Sequence, residues 1–194
     1  MLPEEYQPRR RMPAWLRPRP APDAEFSYSI RDATKEDLPE ILAIYNHYVA
    51  NSTVTFDEEP MVLKDLRSRF QQLAKLGFPF IVAQSPGGQL LGYANVSPWK
   101  QKAAYRYTVE NSIYLGPASR GKGLGRVLMA ELIERSRAAG IREIVAVIAD
   151  RGAEASIRLH RDFGFKEIGR LGRVGFKFDR WLGTILMQKS LKRK

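Results

Sequence analysis

The segment from Thr108 to Leu128 most constrains how this chain folds, because it leads from a strand through a glycine-rich turn into a helix. Apolar and β-branched residues predict a strand over Val109 to Leu115, and Gly116 and Pro117 end it. From Gly123 onward, apolar residues recur with helical spacing. A helix that begins so soon after a strand indicates an α/β fold.

The turn itself suits an anion, because the first N–H groups of a helix lack main-chain partners and carry partial positive charge. Its glycines leave room for a phosphate and its cations attract one. These residues are Gly121, Gly123 and Gly125, with Arg120, Lys122 and Arg126. The spacing fits neither a P-loop nor a dinucleotide-binding fingerprint. A diphosphate is therefore a candidate ligand, although the same glycines also suit a turn that only packs a helix on a strand.

Composition excludes several kinds of chemistry. The chain of 194 residues has no cysteine and only His47 and His160, so disulfides, thiolate or multi-histidine metal sites and a cysteine nucleophile are excluded. We therefore expect no metal. No apolar run approaches the roughly 18 to 20 residues that a membrane span needs, so we expect no membrane partner.

The net charge of +11 raises the question of nucleic acid. Part of this charge lies near the two ends of the chain, and no nucleic-acid-binding motif is present. A basic enzyme for anionic ligands accounts for the charge equally well. We do not expect nucleic acid to be the main partner.

The ends of the chain differ from its middle. Residues 1–27 are rich in proline and arginine and show no periodicity, which predicts a disordered arm. The arm lacks the apolar stretch of a secretory signal, so we expect a cytoplasmic protein. Residues 28–191 form the predicted domain and residues 192–194 a basic tail.

Elements on both sides of the glycine-rich turn complete the predicted fold. Before it, we predict a strand at Tyr28 to Ala33, a helix opened by Thr34, a helix at Leu63 to Leu76, and a hairpin of Phe78 to Gln84 with Gln89 to Val96. After it come the strand Glu143 to Ile148, the helix Gly152 to Phe163, and the strands Phe165 to Arg170 and Leu182 to Lys189. This order predicts an α/β fold with a mixed sheet of about seven strands and about four helices.

The run Arg120-Gly-Lys-Gly-Leu-Gly125 resembles the pyrophosphate-binding signature of the GNAT superfamily of acetyltransferases. Further segments resemble the phosphinothricin and methionine sulfoximine N-acetyltransferases. They are Ile44–Tyr48, Ser52–Phe56, Pro98–Lys100, Tyr107–Glu110, Ala146–Ile148, Ser156–His160, Val174–Lys177 and Arg180–Trp181. The resemblance implies the GNAT fold, acetyl-CoA as co-substrate, a small amino-acid analogue as acceptor and a homodimer.

Two residues are candidates for catalysis. Glu110 is the only carboxylate on the predicted central strand, where burial is expected to raise its pKa towards that of a useful base. A structural ion pair or a solvated edge position is the alternative. The resemblance places His160 where a proton donor for the CoA thiolate is expected, whereas the sequence alone favours a packed or capping helix histidine. For His47 we favour a half-buried structural position.

The resemblance also implies a cofactor site. The backbone of Tyr114, Leu115 and Gly116 would hold the pantetheine arm, and the turn would hold the diphosphate. The turn residues concerned are Arg120, Lys122, Gly123, Leu124, Gly125, Arg126 and Val127. Ala153 stands where the family often has a CoA-binding asparagine, a contact that Ser156 could supply instead.

The predicted acceptor pocket comes from other segments. Its residues are Phe56, Trp99, Lys100, Tyr105, Arg106, Tyr107 and Lys177, with Val174 to Lys177 and Trp181 closing it, from the same chain or a partner. About half of these aromatics would equally suit the core. The methionine sulfoximine and sulfone branch has arginine at the position of Arg106, whereas the phosphinothricin branch tends to have an acidic residue. This favours methionine sulfoximine or sulfone as acceptor.

Two other functions remain open at this stage. The chain could acetylate a protein or peptide amine, with the basic arm recruiting an acidic partner. Alternatively, Ala153 and the net charge could indicate a non-catalytic module that binds CoA or nucleic acid.

Overall fold

The computed structural model describes residues 26–191. The predicted arm, residues 1–27, and the predicted tail, residues 192–194, lie outside this range except for Phe26 and Ser27. Phe26 was assigned to the arm, but it packs against the core with its ring centroid 5.6 Å from that of Tyr28. The ordered domain therefore includes Phe26, before the predicted boundary at residue 28.

The strands and helices of the described chain follow one another in the predicted order. The strands are β1 Ser29–Asp32, β2 Phe80–Gln84, β3 Leu90–Pro98, β4 Thr108–Leu115, β5 Glu143–Ala149, β6 Lys166–Lys177 and β7 Arg180–Ser190. The helices are α1 Leu38–Asn51, α2 Leu63–Lys75, α3 Leu124–Ala138 and α4 Glu154–Asp162. No helix within residues 26–191 is both long and apolar enough to cross a bilayer.

The seven strands form one mixed sheet in the order β1-β2-β3-β4-β5-β7-β6. Neighbouring strands pair antiparallel except for β4 and β5, which run parallel in the middle of the sheet. A parallel pair needs a crossover connection, which α3 supplies. The glycine-rich turn thus lies at the carboxyl end of β4, beside the one parallel pair of the described sheet.

Helices cover both faces of the sheet, because the inner strands carry apolar residues on both sides. On one face, Leu38 and Ile41 of α1 and Leu73 of α2 pack against Val82 and Tyr93. On the opposite face, residues of α3 pack against alternate positions of the same strands. Burial of apolar surface on both faces is the main favourable contribution to folding here.

The predicted capping box of Thr34 and Asp37 is present, but it opens a short 3₁₀ turn, Lys35–Asp37, and α1 begins after it at Leu38. The Asp37 carboxylate accepts a hydrogen bond from the Thr34 N–H at 2.7 Å, and Arg31 holds the same carboxylate through two bonds of 2.7 Å. The guanidinium and the backbone donor lower the pKa of Asp37. Pro39 occupies the first turn of α1, where a missing N–H costs nothing.

The largest difference from the predicted elements is in β6. The strand was expected to end at Arg170, but it continues to Lys177 and pairs with β7 from Lys166↔Gln188 to Lys177↔Arg180. The register shifts twice along this pair, so side chains do not alternate in the simple way that sequence patterning detects.

Candidate active site

The central feature of the site is a split between β4 and β5. Their parallel pairing covers only Thr108↔Glu143, Val109↔Ile144 and Glu110↔Val145. Beyond Glu110 each strand keeps its outer partner, β3 for β4 and β7 for β5, while the two strands separate. The separated edges line a cavity of about 1070 Å³. Glu110 therefore lies where the split begins.

The backbone direction of β4 decides which groups face this split. The Gly116 N–H donates to the Leu91 carbonyl at 2.8 Å, so Gly116 faces β3. Because alternate residues of an antiparallel strand bond to the same neighbour, Tyr114 also pairs with β3, and Ile113 and Leu115 face the split. The Tyr114 and Gly116 backbones, predicted to hold pantetheine, thus pair with β3, whereas Leu115 faces the split; contact of any of the three with pantetheine stays a prediction. The Leu115 carbonyl accepts a hydrogen bond from the Tyr48 hydroxyl at 2.8 Å.

The glycine-rich turn presents the start of α3 to the cavity. Gly121 has φ +75° and Gly123 has φ +79°, values that side chains rarely allow, and neither position has a heavy atom within 4 Å of an ideal Cβ. Gly123 precedes the first helical residue, and no side chain caps this end. Within residues 26–191, the backbone N–H groups of Leu124 and Gly125 have no partner outside α3. The turn thus offers open backbone donors to an anion.

The residues of the turn differ in whether they contact the cavity. Arg120, Gly121, Gly123, Gly125 and Arg126 line the cavity, whereas Lys122, Leu124 and Val127 do not. Leu124 is fully buried in the core and does not line the cavity, so its side chain is not available to a ligand.

The cations near the turn also have protein contacts. The Arg120 guanidinium lies 4.9 Å from the centroid of the Tyr48 ring, and the Lys122 ammonium lies 4.7 Å from that of Phe26. Arg126 forms an ion pair with Asp162 at 2.5 Å. Arg120 and Arg126 are thus held at the cavity wall, whereas Lys122 lies against Phe26 outside it.

Glu110 is half-buried and lines the cavity. Among residues 26–191 it forms no ion pair or side-chain hydrogen bond, so neither alternative from the sequence describes it. Burial raises the pKa of Glu110, and the charges of Arg69 and Lys100 partly oppose that rise. An unpaired carboxylate with a raised pKa at the start of the split has the properties of a general base.

His160 is buried and bonded at both ring nitrogens. Nδ1 lies 2.8 Å from the Ser156 carbonyl oxygen, which can only accept, so Nδ1 carries the proton. Nε2 lies 3.0 Å from Nδ2 of Asn111, which donates to it. Burial lowers the pKa of His160 and keeps the ring neutral. The imidazole has no free N–H for a thiolate, which does not support the predicted proton donor, although the ring lines the cavity.

Aromatic side chains line the other part of the cavity, on the α1 and α2 face of the sheet. The Tyr114 ring contacts Tyr45, Tyr48 and Tyr93 at centroid distances of 5.4, 5.1 and 5.4 Å. The Tyr45 hydroxyl donates to the Asp57 carboxylate. Burial and this bond raise the pKa of Tyr45 to about 12.

Phe56 is the one predicted acceptor residue in the described cavity wall. Its ring packs against the backbone of Gly175, where a Cβ would lie 2.4 Å from Phe56 Cδ2. The β6 strand therefore supports Phe56 within the same chain. Ala153 and Ser156 also line the cavity, as the resemblance implied.

The connection between β3 and β4 does not line the cavity in this chain. Lys100, Tyr105, Arg106 and Tyr107 are exposed. The Arg106 guanidinium lies 4.6 Å from the centroid of the Tyr107 ring, and its Nη1 donates to the Ala103 carbonyl at 3.1 Å. The Lys100 ammonium lies 4.6 Å from the centroid of the Trp99 ring. Contact of these residues with an acceptor stays a prediction.

Lys177 has a structural position instead of the predicted one in the acceptor pocket. It is 2% exposed, and its ammonium donates to the carbonyls of Ser52 at 3.0 Å and Thr55 at 2.9 Å. Lys177 of β6 therefore anchors the Ser52–Phe56 segment through these two hydrogen bonds. Burial lowers the pKa of Lys177.

No cluster of three or more potential metal ligands occurs within the described range, residues 26–191. The acidic residues that line the cavity, Asp57, Glu110 and Asp162, therefore do not form such a cluster.

The arrangement of the site can be compared with known proteins. The profile of the acetyltransferase (GNAT) family matches residues 41–165, more than half of the chain. The chain belongs to the GNAT acetyltransferase family. This GNAT protein is 46% identical over 165 residues to the L-methionine sulfoximine/L-methionine sulfone acetyltransferase of Pseudomonas paraeruginosa (strain DSM 24068 / PA7), covering 85% of this chain and 95% of the relative.

Two further similarities extend this result. The GNAT protein is 40% identical over 168 residues to the phosphinothricin N-acetyltransferase of Alcaligenes faecalis, covering 87% of this chain and 85% of the relative. The crystal structure of a phosphinothricin acetyltransferase from Sinorhizobium meliloti in complex with acetyl-CoA superposes with a TM-score of 0.80 at 41% identity. It covers 84% of this chain and 88% of that chain. The predicted family and fold are confirmed.

Sequence reasoning missed several residues of this GNAT site. Arg69, Tyr45, Asp57 and Asn111 line the cavity but carried no functional prediction. Arg69 gave one signal, because it occupies the apolar stripe of α2 between Leu66 and Leu73. His47 was expected to be half-buried, but it is exposed and contributes to the cavity wall.

Proposed function

We propose that this chain transfers the acetyl group of acetyl-CoA to the amino group of a small amino-acid analogue of the methionine sulfoximine, methionine sulfone or phosphinothricin type. The observation that carries the proposal is the position of Glu110, an unpaired carboxylate where β4 and β5 separate. The relatives named above give the acceptor class.

Acetyl-CoA would bind along the open edge of β4. The outward backbone groups of Ile113 and Leu115 would pair with the pantetheine amides, and the free N–H groups at the start of α3 would bind the pyrophosphate. Arg120 adds positive charge at that end. This arrangement would bring the thioester towards the start of the split, near Glu110.

In the reaction, Glu110 takes one proton from the acceptor ammonium, and the resulting amine forms a C–N bond with the thioester carbonyl carbon. A backbone N–H directed into the split stabilises the oxyanion. The C–S bond then breaks, and the second proton of the attacking nitrogen goes to the thiolate. One proton is released to solvent through Glu110, and no step requires an N–H of His160.

The experiment is a measurement of free thiol release with L-methionine sulfoximine, L-methionine sulfone and phosphinothricin. Glu110→Gln is expected to lower kcat by about 10²- to 10⁴-fold, because it removes the base but keeps the shape of the side chain. The Kd for acetyl-CoA should hardly change. Glu59→Gln, which alters an exposed carboxylate, is the control and should leave kcat unchanged.

Each alternative from the sequence has its own outcome in this experiment. Binding of acetyl-CoA without thiol release from any acceptor would favour a non-catalytic module. Release only with peptides that have a free amino terminus would favour a protein or peptide acceptor. Either outcome would reject the small-molecule proposal.

A homodimer and a cytoplasmic location are further parts of this proposal. The β6–β7 hairpin and its turn expose large apolar side chains, which are Ile168, Leu171, Val174, Phe176, Phe178 and Trp181. An apolar patch of this kind on an edge strand suits contact with a second copy of the chain.

A further inference from the structure

Arg69 is a cation of the cavity wall that the reaction described above does not use. It lies on α2, on the same helical stripe as Leu66 and Leu73, and it is half-buried. Among residues 26–191 the Arg69 guanidinium forms no ion pair. A partly buried cation without a partner is unfavourable, so the position indicates an anion that binds there.

The surroundings of Arg69 separate it from the pyrophosphate end of the cavity. Its charge opposes the rise in pKa that burial causes at Glu110, Tyr45 and Tyr114, so the guanidinium lies on their side of the cavity. The contacts of Arg120 and Arg126 are instead with Tyr48 and Asp162. Among the arginines of the described wall, Arg69 is therefore the one whose charge lowers the pKa of Glu110, Tyr45 and Tyr114.

The carboxylates nearby do not satisfy Arg69. Asp57 accepts a hydrogen bond from the Tyr45 hydroxyl and makes no ion pair with Arg69. Glu110 is within reach of the electrostatic field of Arg69 but forms no salt bridge with it. The guanidinium therefore keeps its planar set of donors for a bound molecule, and this set matches a carboxylate in two-point fashion.

An α-amino acid carries its carboxylate one carbon away from its amino group. An acceptor that presents its ammonium to Glu110 must therefore place its carboxylate close by, in the region between Glu110 and the wall formed by α2. We propose that Arg69 binds the α-carboxylate of the acceptor and makes that carboxylate a requirement for acetylation. This inference rests on the proposed function.

The test compares a carboxylate acceptor with its neutral counterpart, L-methionine sulfone with L-methionine sulfone carboxamide. The quantity measured is the ratio of their kcat/KM values in wild type, Arg69→Lys and Arg69→Met. Arg69→Met is expected to lower this ratio by about 10- to 100-fold, mainly through a higher KM for the acid. The ratio in Arg69→Lys should lie between those of wild type and Arg69→Met, because lysine keeps the charge but loses the two-point geometry.

Arg67→Met is the matched control, because Arg67 lies on the same helix but is exposed outside the cavity. It should leave the ratio unchanged. An unchanged ratio in Arg69→Met, or the same loss in Arg67→Met, would overturn the proposal. A variant Arg69→Met that changed only the pH profile of both acceptors would also overturn it, because Arg69 would then act only on Glu110.

Binding separates this inference from the proposed function. Calorimetry with enzyme saturated with CoA measures the Kd of the acid and of the carboxamide without any turnover. Tighter binding of the acid that is lost in Arg69→Met supports the role of Arg69 even if no acetyl transfer occurs. Equal Kd values for the two molecules in wild type overturn it even if transfer is fast.

Discussion

At the scale of single residues, two hydrogen bonds fix the protonation state of His160. The Ser156 carbonyl requires a proton on Nδ1, and the Asn111 amide donates to an unprotonated Nε2. This leaves Oδ1 of Asn111 buried without a partner in the described chain. A second proton on the ring would lose the bond from Asn111 and bury a charge. The neutral ring therefore joins α4 to β4 beside the split.

This state predicts how stability depends on pH. Burial depresses the pKa of His160 below 6.5, so between these two values the unfolded chain binds more protons than the folded chain. The contribution of His160 to the free energy of unfolding is present above about pH 6.5 and is lost as the pH falls through the folded pKa. The slope is at most about 1.4 kcal/mol per pH unit. His160→Gln should remove this part of the slope in urea unfolding between about pH 7.5 and pH 5.

His47→Gln serves as the control for that measurement, because it removes the exposed histidine of the same chain. In His47→Gln, the free energy of unfolding should depend on pH as it does in wild type. The assignment of a neutral His160 would be contradicted if His160→Gln and wild type lost stability in parallel as the pH falls.

Some residues of the site were predictable and others were not, for physical reasons. Glu110 is conspicuous because a carboxylate interrupts an apolar strand. Lys177 is not, because its partners are the carbonyls of Ser52 and Thr55, which lie far away in the sequence and have no side-chain signature. Asn111 acquires its role only when α4 brings His160 to β4.

At the scale of elements, the glycine-rich turn links local backbone geometry to ligand binding. Gly123 adopts φ +79° directly before α3, and this conformation ends the turn with the helix N–H groups open to the cavity. The prediction of a helix from Gly123 onward agrees with the observed start at Leu124 to within one residue. In contrast, β6 was predicted too short, because its extension depends on pairing with β7 and not on local alternation.

Gly123→Ala should weaken acetyl-CoA binding. An alanine at φ +79° is strained by about 1 kcal/mol or more, and relief of that strain would turn the first N–H groups of α3 away from the anion. Gly140→Ala is a matched control, since Gly140 also has φ +79° but follows α3 at its other end. Both variants should lower the melting temperature to a similar degree, but only Gly123→Ala should raise the Kd for CoA. An equal Kd in the two variants would contradict the proposed pyrophosphate site.

At the scale of the whole molecule, the two central strands separate while each stays paired with its outer neighbour. β4 remains paired with β3 up to Leu115, and β5 remains paired with β7 up to Ala149. The cleft therefore forms without loss of these ladders. The sequence predicted both central strands, but it did not indicate that their pairing stops at Glu110, because the residue pattern of a strand does not report where a neighbouring strand separates from it.

The whole molecule also exposes an apolar surface, which suits the contact between chains in the proposed homodimer. Phe176 and Trp181 face each other across β6 and β7 with ring centroids 5.5 Å apart, and both are about half exposed. Lys177 and Gly175 point to the opposite side, where they hold the Ser52–Phe56 segment. One face of the hairpin thus supports the cavity wall while the other remains available for contact between chains.

Trp181→Lys should therefore convert a dimer into a monomer in sedimentation velocity, because it places a charge in a contact that is otherwise apolar. Leu76→Lys is the control, since Leu76 is 48% exposed and Trp181 49% exposed, but Leu76 lies at the end of α2. The control should sediment like wild type. If wild type is a monomer at micromolar concentration, or if Trp181→Lys remains a dimer, the hairpin is not the interface. Because the same hairpin supports Phe56, a monomeric Trp181→Lys is also expected to show a higher KM for the acceptor with little change in the Kd for CoA.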